Sequence, residues 1–209
     1  MSARELLDHY IAECPLVAIV RGITPDEADR IGDAIYEGGI RIIEVPLNSP
    51  EPLISIERLA RRFGDRMLVG AGTVLSPEDV RRVQEAGGRI IVSPDTNSEV
   101  IKESAAAGLV SSPGYFTPSE AFSAIRAGAT ALKLFPAESA TPALLKAQLA
   151  VLPKNIPLFV VGGVRPDNMQ PWLEAGATGF GLGSGLYKPG VTSSEALSRA
   201  RAYVAGMAR

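Results

Sequence analysis

The chain has 209 residues, enough for one sizeable core and short for two. Its formal charge of −2, with basic residues only in short scattered clusters, gives no reason to expect nucleic acid or a membrane surface as partner. One cysteine, Cys14, and one histidine, His9, exclude an internal disulfide and a histidine-rich metal site, and Cys14 reads as a small core residue.

Residues 1–10 carry the pattern of an amphipathic helix rather than of a signal peptide, and no apolar run is long enough to span a bilayer. The cytoplasm is the expected location. From there one unit recurs: a short apolar strand, a polar turn, a helix and a glycine. Strands are expected at residues 16–21, 40–45, 67–71, 89–93, 109–112, 131–135, 158–162 and 178–182. Thr24-Pro25-Asp26-Glu27 and Thr117-Pro118-Ser119-Glu120 read as capping boxes with proline in the first turn. Ser76-Pro77, Thr141-Pro142 and Arg165-Pro166-Asp167 mark further helix starts. Gly38, Gly87, Gly108, Gly128 and Gly176 stand where a left-handed residue would end a helix.

Most of these strands are continuous apolar runs without alternation, the mark of parallel strands covered by helices on one side and packed on the other. Eight strand–helix units predict an α/β fold, a single (β/α)8 barrel over residues 1–209 with an extra N-terminal helix. An open doubly wound sheet is the structural alternative, but no Gly-x-Gly-x-x-Gly follows the first strand.

Barrels of this type place their chemistry at the C-terminal strand ends, so the polar residues there are the candidates. Lys133 lies inside the apolar run 131–135. A lysine stripped of water has a lowered pKa, and its free amine attacks carbonyl carbon to form a Schiff base. Glu44 interrupts the second strand in the same way and is the natural partner, either as a proton-transfer group or as one half of a buried ion pair. Gly162-Gly163 and Gly183-Ser184 end the last two strands, where backbone amides of this fold often bind a phosphate. The Arg21 fork suits a carboxylate or phosphate, and the Thr73 hydroxyl can donate to a carboxylate; a capping arginine and a loop-bound threonine are the plainer readings. Pro94 and Phe135 are placed to be apolar walls that keep the amine dry.

The segments Ile43-Glu44-Val45-Pro46-Leu47, Gly70-Ala71-Gly72-Thr73-Val74-Leu75, Leu132-Lys133-Leu134-Phe135-Pro136-Ala137, Val161-Gly162-Gly163-Val164 and Gly181-Leu182-Gly183-Ser184 carry a resemblance. Over residues 15–187 the chain is similar to the class I aldolases that cleave 2-keto-3-deoxy-6-phospho sugar acids, the KDPG/KHG aldolases. That resemblance implies a (β/α)8 barrel, usually a homotrimer, with no cofactor and no required metal. It implies Lys133 as the Schiff-base lysine and Glu44 as the acid/base residue acting through a water. It implies Arg21 and Thr73 at the pyruvyl end, and Gly162, Gly163, Gly183 and Ser184 at the phosphate. The implied partners are a phosphorylated keto-deoxy sugar acid as substrate and pyruvate and glyceraldehyde 3-phosphate as products. Asn48 stands where the gluconate branch commonly has an arginine, and the stretches 20–25 and 46–50 look like the galactonate branch. The favoured substrate is therefore 2-dehydro-3-deoxy-6-phosphogalactonate. The gluconate epimer, both epimers together, and 4-hydroxy-2-oxoglutarate are the alternatives. Two readings without an imine stay open: a phosphosugar isomerase or synthase, and a non-catalytic phosphometabolite-binding module.

Overall fold

The computed structural model of the chain describes residues 1–207. Nine parallel strands form one sheet: β1 (Leu16–Ile19), β2 (Ile42–Pro46), β3 (Leu68–Gly72), β4 (Ile90–Val92), β5 (Val110–Ser112), β6 (Gly114–Tyr115), β7 (Leu132–Leu134), β8 (Leu158–Val161) and β9 (Gly179–Leu182). Their order is β5-β4-β3-β2-β1-β9-β8-β7-β6. The helices are α1 (Ala3–Glu13), α2 (Pro25–Glu37), α3 (Pro52–Phe63), α4 (Pro77–Glu85), α5 (Ser98–Ala106), α6 (Pro118–Ala127), α7 (Pro142–Leu149), α8 (Gln170–Ala175) and α9 (Ser193–Met207).

The barrel closes through a broken strand. β5 pairs with β4, and β6 pairs with β7, with Pro113 between them. A proline cannot donate to a ladder, which is why the strand splits there. Hydrogen bonds still cross the seam: the Lys133 amide donates to the Pro113 carbonyl at 2.9 Å, and the Ala131 amide to the Ser111 carbonyl at 3.0 Å. Eight strand positions were expected, and eight are found, one of them in two pieces. The second piece, β6, lay outside the expected strand at 109–112.

Strand side chains alternate between two cores, as the pleat requires. Val17, Ile19, Ile42, Leu68, Ile90, Val92, Val110, Ala131, Phe159 and Val161 fill the barrel interior. Their neighbours, among them Ala18, Ile43, Val69, Ile91, Leu132, Leu134, Val160 and Phe180, pack outward under the helices. Both faces are apolar, which explains why the strands read as unbroken apolar runs.

The extra N-terminal helix is α1, and it stoppers the barrel. Ser2 and Glu5 close a capping box at its start. Its Leu6, Leu7 and Tyr10 belong to the interior core. The Tyr10 hydroxyl donates to the Asp65 carbonyl at 2.7 Å, just ahead of β3, so the stopper sits at the N-terminal end of the strands. The open mouth is left at the C-terminal end.

Helix starts follow their signals. The Ser76 and Thr141 hydroxyls accept from the Asp79 and Leu144 amides, each at 3.1 Å. Thr117 and Glu120 close a capping box, with the Thr117 amide 2.7 Å from the Glu120 carboxylate. Three expectations shift. At Arg165-Pro166-Asp167 the chain makes a turn in which the Arg165 amide donates to Asn168, and α8 starts only at Gln170. At the end of α2, Gly38 stays right-handed and its successor Gly39 takes the positive φ of 101°. β1 stops at Ile19, so Arg21 stands in the turn beyond the strand rather than in it.

Candidate active site

Strand register places the two charged candidates inside the barrel. Glu44 pairs with Ile19 on one side and Gly70 on the other; Lys133 pairs with Gly114 and Phe159. Both side chains take inward positions, and Glu44 is 2% exposed and Lys133 7%. They line one cavity with Ile19, Val92, Ser112 and Val161, and its floor is Leu7 of the stopper helix. The Lys133 Nζ lies 4.7 Å from the centre of the Phe135 ring, within cation–π range.

Burial acts on the two groups in opposite senses. It pushes the Lys133 amine below its usual pKa; the Glu44 charge works against that shift and Arg21 adds to it. It pushes the Glu44 carboxyl up to about 7, against the pull of Lys133 and Arg21. The Glu44 carboxyl therefore has a neutral form within reach of neutral pH, and the Lys133 amine gives up its proton more readily than a solvated lysine. Their heads are not paired: no hydrogen bond joins them, and no nitrogen–oxygen contact falls within 4.0 Å. Glu44 Oε2 is buried without a hydrogen-bond partner. A buried ion pair built for rigidity would have closed that gap, because an unmet buried acceptor costs roughly 1–3 kcal/mol. The arrangement fits groups held ready for a ligand.

At the rim, Arg21 donates to the Asn48 side-chain oxygen, and both its terminal nitrogens lie 3.5 Å from the Thr73 hydroxyl. The Gly22 amide donates to the buried Ser49 hydroxyl at 3.0 Å, which ties the turn after β1 to the loop after β2 and so aims Arg21 at Asn48. Thr73 has a φ of +56°. A β-branched residue rarely adopts that conformation, and such strain concentrates at functional sites. Arg21, Asn48 and Thr73 thus form one polar cluster above the Glu44 side of the cavity. Pro94 is half-buried beyond β4, its carbonyl packed against Gly114, the register partner of Lys133.

Gly162 and Gly163 both have positive φ, 118° and 63°. After β9 the Gly183 carbonyl accepts from the Leu186 and Tyr187 amides at 2.9 and 3.0 Å, so a helical turn begins there. The first amides of such a turn, those of Ser184 and Gly185, have no partner within it and suit an anion. The two glycine-rich ends are neighbours, because β8 and β9 pair.

Three residues were not singled out from the sequence. Gly72 ends β3 beside the Glu44 carboxyl, Ser112 supplies a hydroxyl to the cavity wall, and Glu138 lays its carboxylate against Gly162 and Gly163. Gly72 and Ser112 carry no charge in an apolar setting to betray them. Glu138 sits in a polar turn, where a glutamate is ordinary.

A lysine and a carboxyl buried in one cavity of a (β/α)8 barrel, near two adjacent glycine-rich strand ends, define the class: an α/β barrel with an unpaired amine and acid at its centre. The model of the KDPG and KHG aldolase family matches residues 7–202, and the chain belongs to that family. It is a carbon–carbon lyase. The 2-dehydro-3-deoxy-6-phosphogalactonate aldolase of Escherichia coli strain K12 is 46% identical over 190 residues, covering 91% of this chain and 93% of that one. A probable enzyme of the same name from Rhizobium meliloti strain 1021 is 45% identical over 193 residues, covering 92% and 91%. A solved structure of native KDPGal superposes with a TM-score of 0.92 at 44% identity, over 94% of this chain and 95% of that one.

Proposed function

We propose that the chain cleaves 2-dehydro-3-deoxy-6-phosphogalactonate to pyruvate and D-glyceraldehyde 3-phosphate through a Schiff base on Lys133. The supporting observation is the unpaired, buried Lys133–Glu44 couple at the barrel mouth. The neutral Lys133 amine attacks the C2 carbonyl; the carbinolamine loses water and leaves an iminium. Glu44, acting through a water, takes the proton of the C4 hydroxyl as the C3–C4 bond breaks, and the bonding pair flows into the iminium to give an enamine. The aldehyde departs, C3 takes a proton, and hydrolysis frees pyruvate and the lysine. Arg21, Asn48 and Thr73 hold the C1 carboxylate, Arg21 as the cation in place of the arginine that Asn48 replaces. Gly162, Gly163, Gly183 and Ser184 hold the phosphate, and Pro94 and Phe135 exclude water. The working unit is the single domain 1–209, assembled as a homotrimer. A cytoplasmic location goes with this reading, since a phosphorylated acid does not cross a bilayer unaided.

Borohydride reduction in the presence of pyruvate tests the mechanism. It should fix a reduced pyruvyl adduct on Lys133, and Lys133→Ala should lose both the adduct and nearly all turnover while keeping the wild-type circular dichroism. Labelling elsewhere, or turnover in that variant, overturns the assignment. The substrate is tested by kcat/KM on the two C4 epimers. Faster cleavage of the gluconate epimer would refute the galactonate assignment.

A further inference from the structure

A β-carbon added at Gly72 would overlap the Cδ and both carboxyl oxygens of Glu44, and nothing else is as near. The backbone does not ask for glycine here, because Gly72 is not among the residues with positive φ. The register explains the collision. Glu44 pairs with Gly70 and Pro46 with Gly72, so the Glu44 side chain rises one step along the strand and rests its carboxyl on the bare Gly72 backbone.

We propose that Gly72 is a positioning residue for the proton-transfer pair: its missing side chain is the niche that holds the Glu44 carboxyl against β3 and off the Lys133 amine. The inference rests on the aldolase reading of that pair and deepens it. With a methyl group in the niche, the carboxyl has to leave β3. The cavity walls around it are apolar, from Ile19, Val92 and Val161, apart from the Ser112 hydroxyl. The charged groups that act on Lys133 are Glu44 on β2 and Arg21 in the turn after β1. A displaced carboxyl therefore turns to Lys133, the cation that lines the same cavity, since Arg21 is not part of its wall. Contact with Lys133 holds a proton on the amine, which then cannot attack a carbonyl. Gly72 keeps the two groups within one cavity yet unpaired.

The test is the pH profile of pyruvate-dependent borohydride trapping at Lys133 in four forms: wild type, Gly72→Ala, Glu44→Ala and the double variant. In Gly72→Ala the trapping midpoint should rise by about one pH unit, with kcat falling about tenfold or more and KM changing by less than about threefold. In the Glu44→Ala background the same change at Gly72 should move the midpoint by less than about 0.3 unit, since the group it displaces is gone. An unmoved midpoint in Gly72→Ala, or an equal shift with and without Glu44, overturns the proposal. Should Gly72→Ala alone fail to fold, Gly72→Ala/Glu44→Asp gives the methyl room by shortening the acid; it should fold and regain trapping near the wild-type midpoint, and its failure to do so overturns the proposal as well. Pyruvate labelling of the wild-type protein in these experiments separates the two levels: its absence sinks the aldolase reading itself, while its presence confines any failure to Gly72.

Discussion

Glu44 sits in surroundings that disfavour its charge, and that sets a pH dependence. Its carboxyl titrates at about 7 in the folded chain against 4.5 in its ordinary state. Between those values the native chain keeps a proton that the unfolded chain has lost. Stability therefore falls as pH rises through this window and levels off above it, by on the order of 3 kcal/mol in all. Lys133 opposes this: its lowered pKa makes the native chain the poorer proton binder, so its contribution improves as pH rises toward 10.5. Glu44→Gln removes the first slope and steepens the second, because the Lys133 amine loses the charge that works against its shift. Its urea midpoint should exceed that of the wild type near pH 8 and approach it near pH 5; equal midpoints at both would contradict the burial of the charge. At the other anion, Glu138 Cγ would lie 2.9 Å from a β-carbon on Gly163, and its carboxylate lies against Gly162. A phosphate bound on those glycines meets a like charge. Glu138→Gln should lower the KM for the phosphorylated substrate by about fivefold, the equivalent of roughly 1 kcal/mol, and leave pyruvate trapping unchanged. Lys133 and Glu44 were legible because charge inside an apolar strand breaks a pattern. Gly72 and Glu138 were not, because their meaning lies in what they stand against across strands, which a linear sequence does not display.

Among the elements, the helices and strands that obey a local rule were the legible ones. Proline after a capping hydroxyl marked α4, α6 and α7, and continuous apolar runs marked the strands. The miss at β6 has a tertiary cause. Gly114 and Tyr115 make too short a segment to show a pattern, and Pro113 ends the run before them. What holds the segment is Tyr115, whose hydroxyl donates to Gln148 Oε1 at 3.0 Å, while Gln148 Nε2 donates to the Phe116 carbonyl at 2.9 Å. That anchor comes from α7, more than 30 residues away along the chain. The stopper α1 was visible as an amphipathic helix, but its target was not. Its Leu7 is fully buried and reaches the cavity that holds Lys133 and Glu44. Leu7→Ala should cost roughly 2–4 kcal/mol, both by lost burial and by the void left at the barrel floor. Urea titration measures the loss. A cost under about 0.5 kcal/mol would mean that α1 rests on the barrel without closing it.

The whole molecule is a barrel with two concentric cores that share β1, β2, β3, β4 and β8: side chains of these strands alternate between them, so neither core can dissolve while the other keeps its register. Closure depends on the seam at Pro113, where β6 adds only two register pairs with β7, Gly114 with Lys133 and Tyr115 with Leu134. Lys133 sits on that seam, so the barrel cannot open there without dismantling the cavity that Lys133 lines. One unit of this kind should unfold as a unit. Trp172 is the single tryptophan, nearly buried on α8, and its fluorescence follows that side of the outer core. Far-ultraviolet circular dichroism follows all the helices together. The two urea curves should coincide, and separate midpoints would show α8 and its surroundings melting as a subdomain. The same titration at several protein concentrations tests the homotrimer. A trimer binds the native state to itself, so its midpoint must rise with concentration, and sedimentation must return three times the 22.0 kDa chain mass. Coincident curves with a concentration-independent midpoint would leave the single barrel standing and refute the trimer.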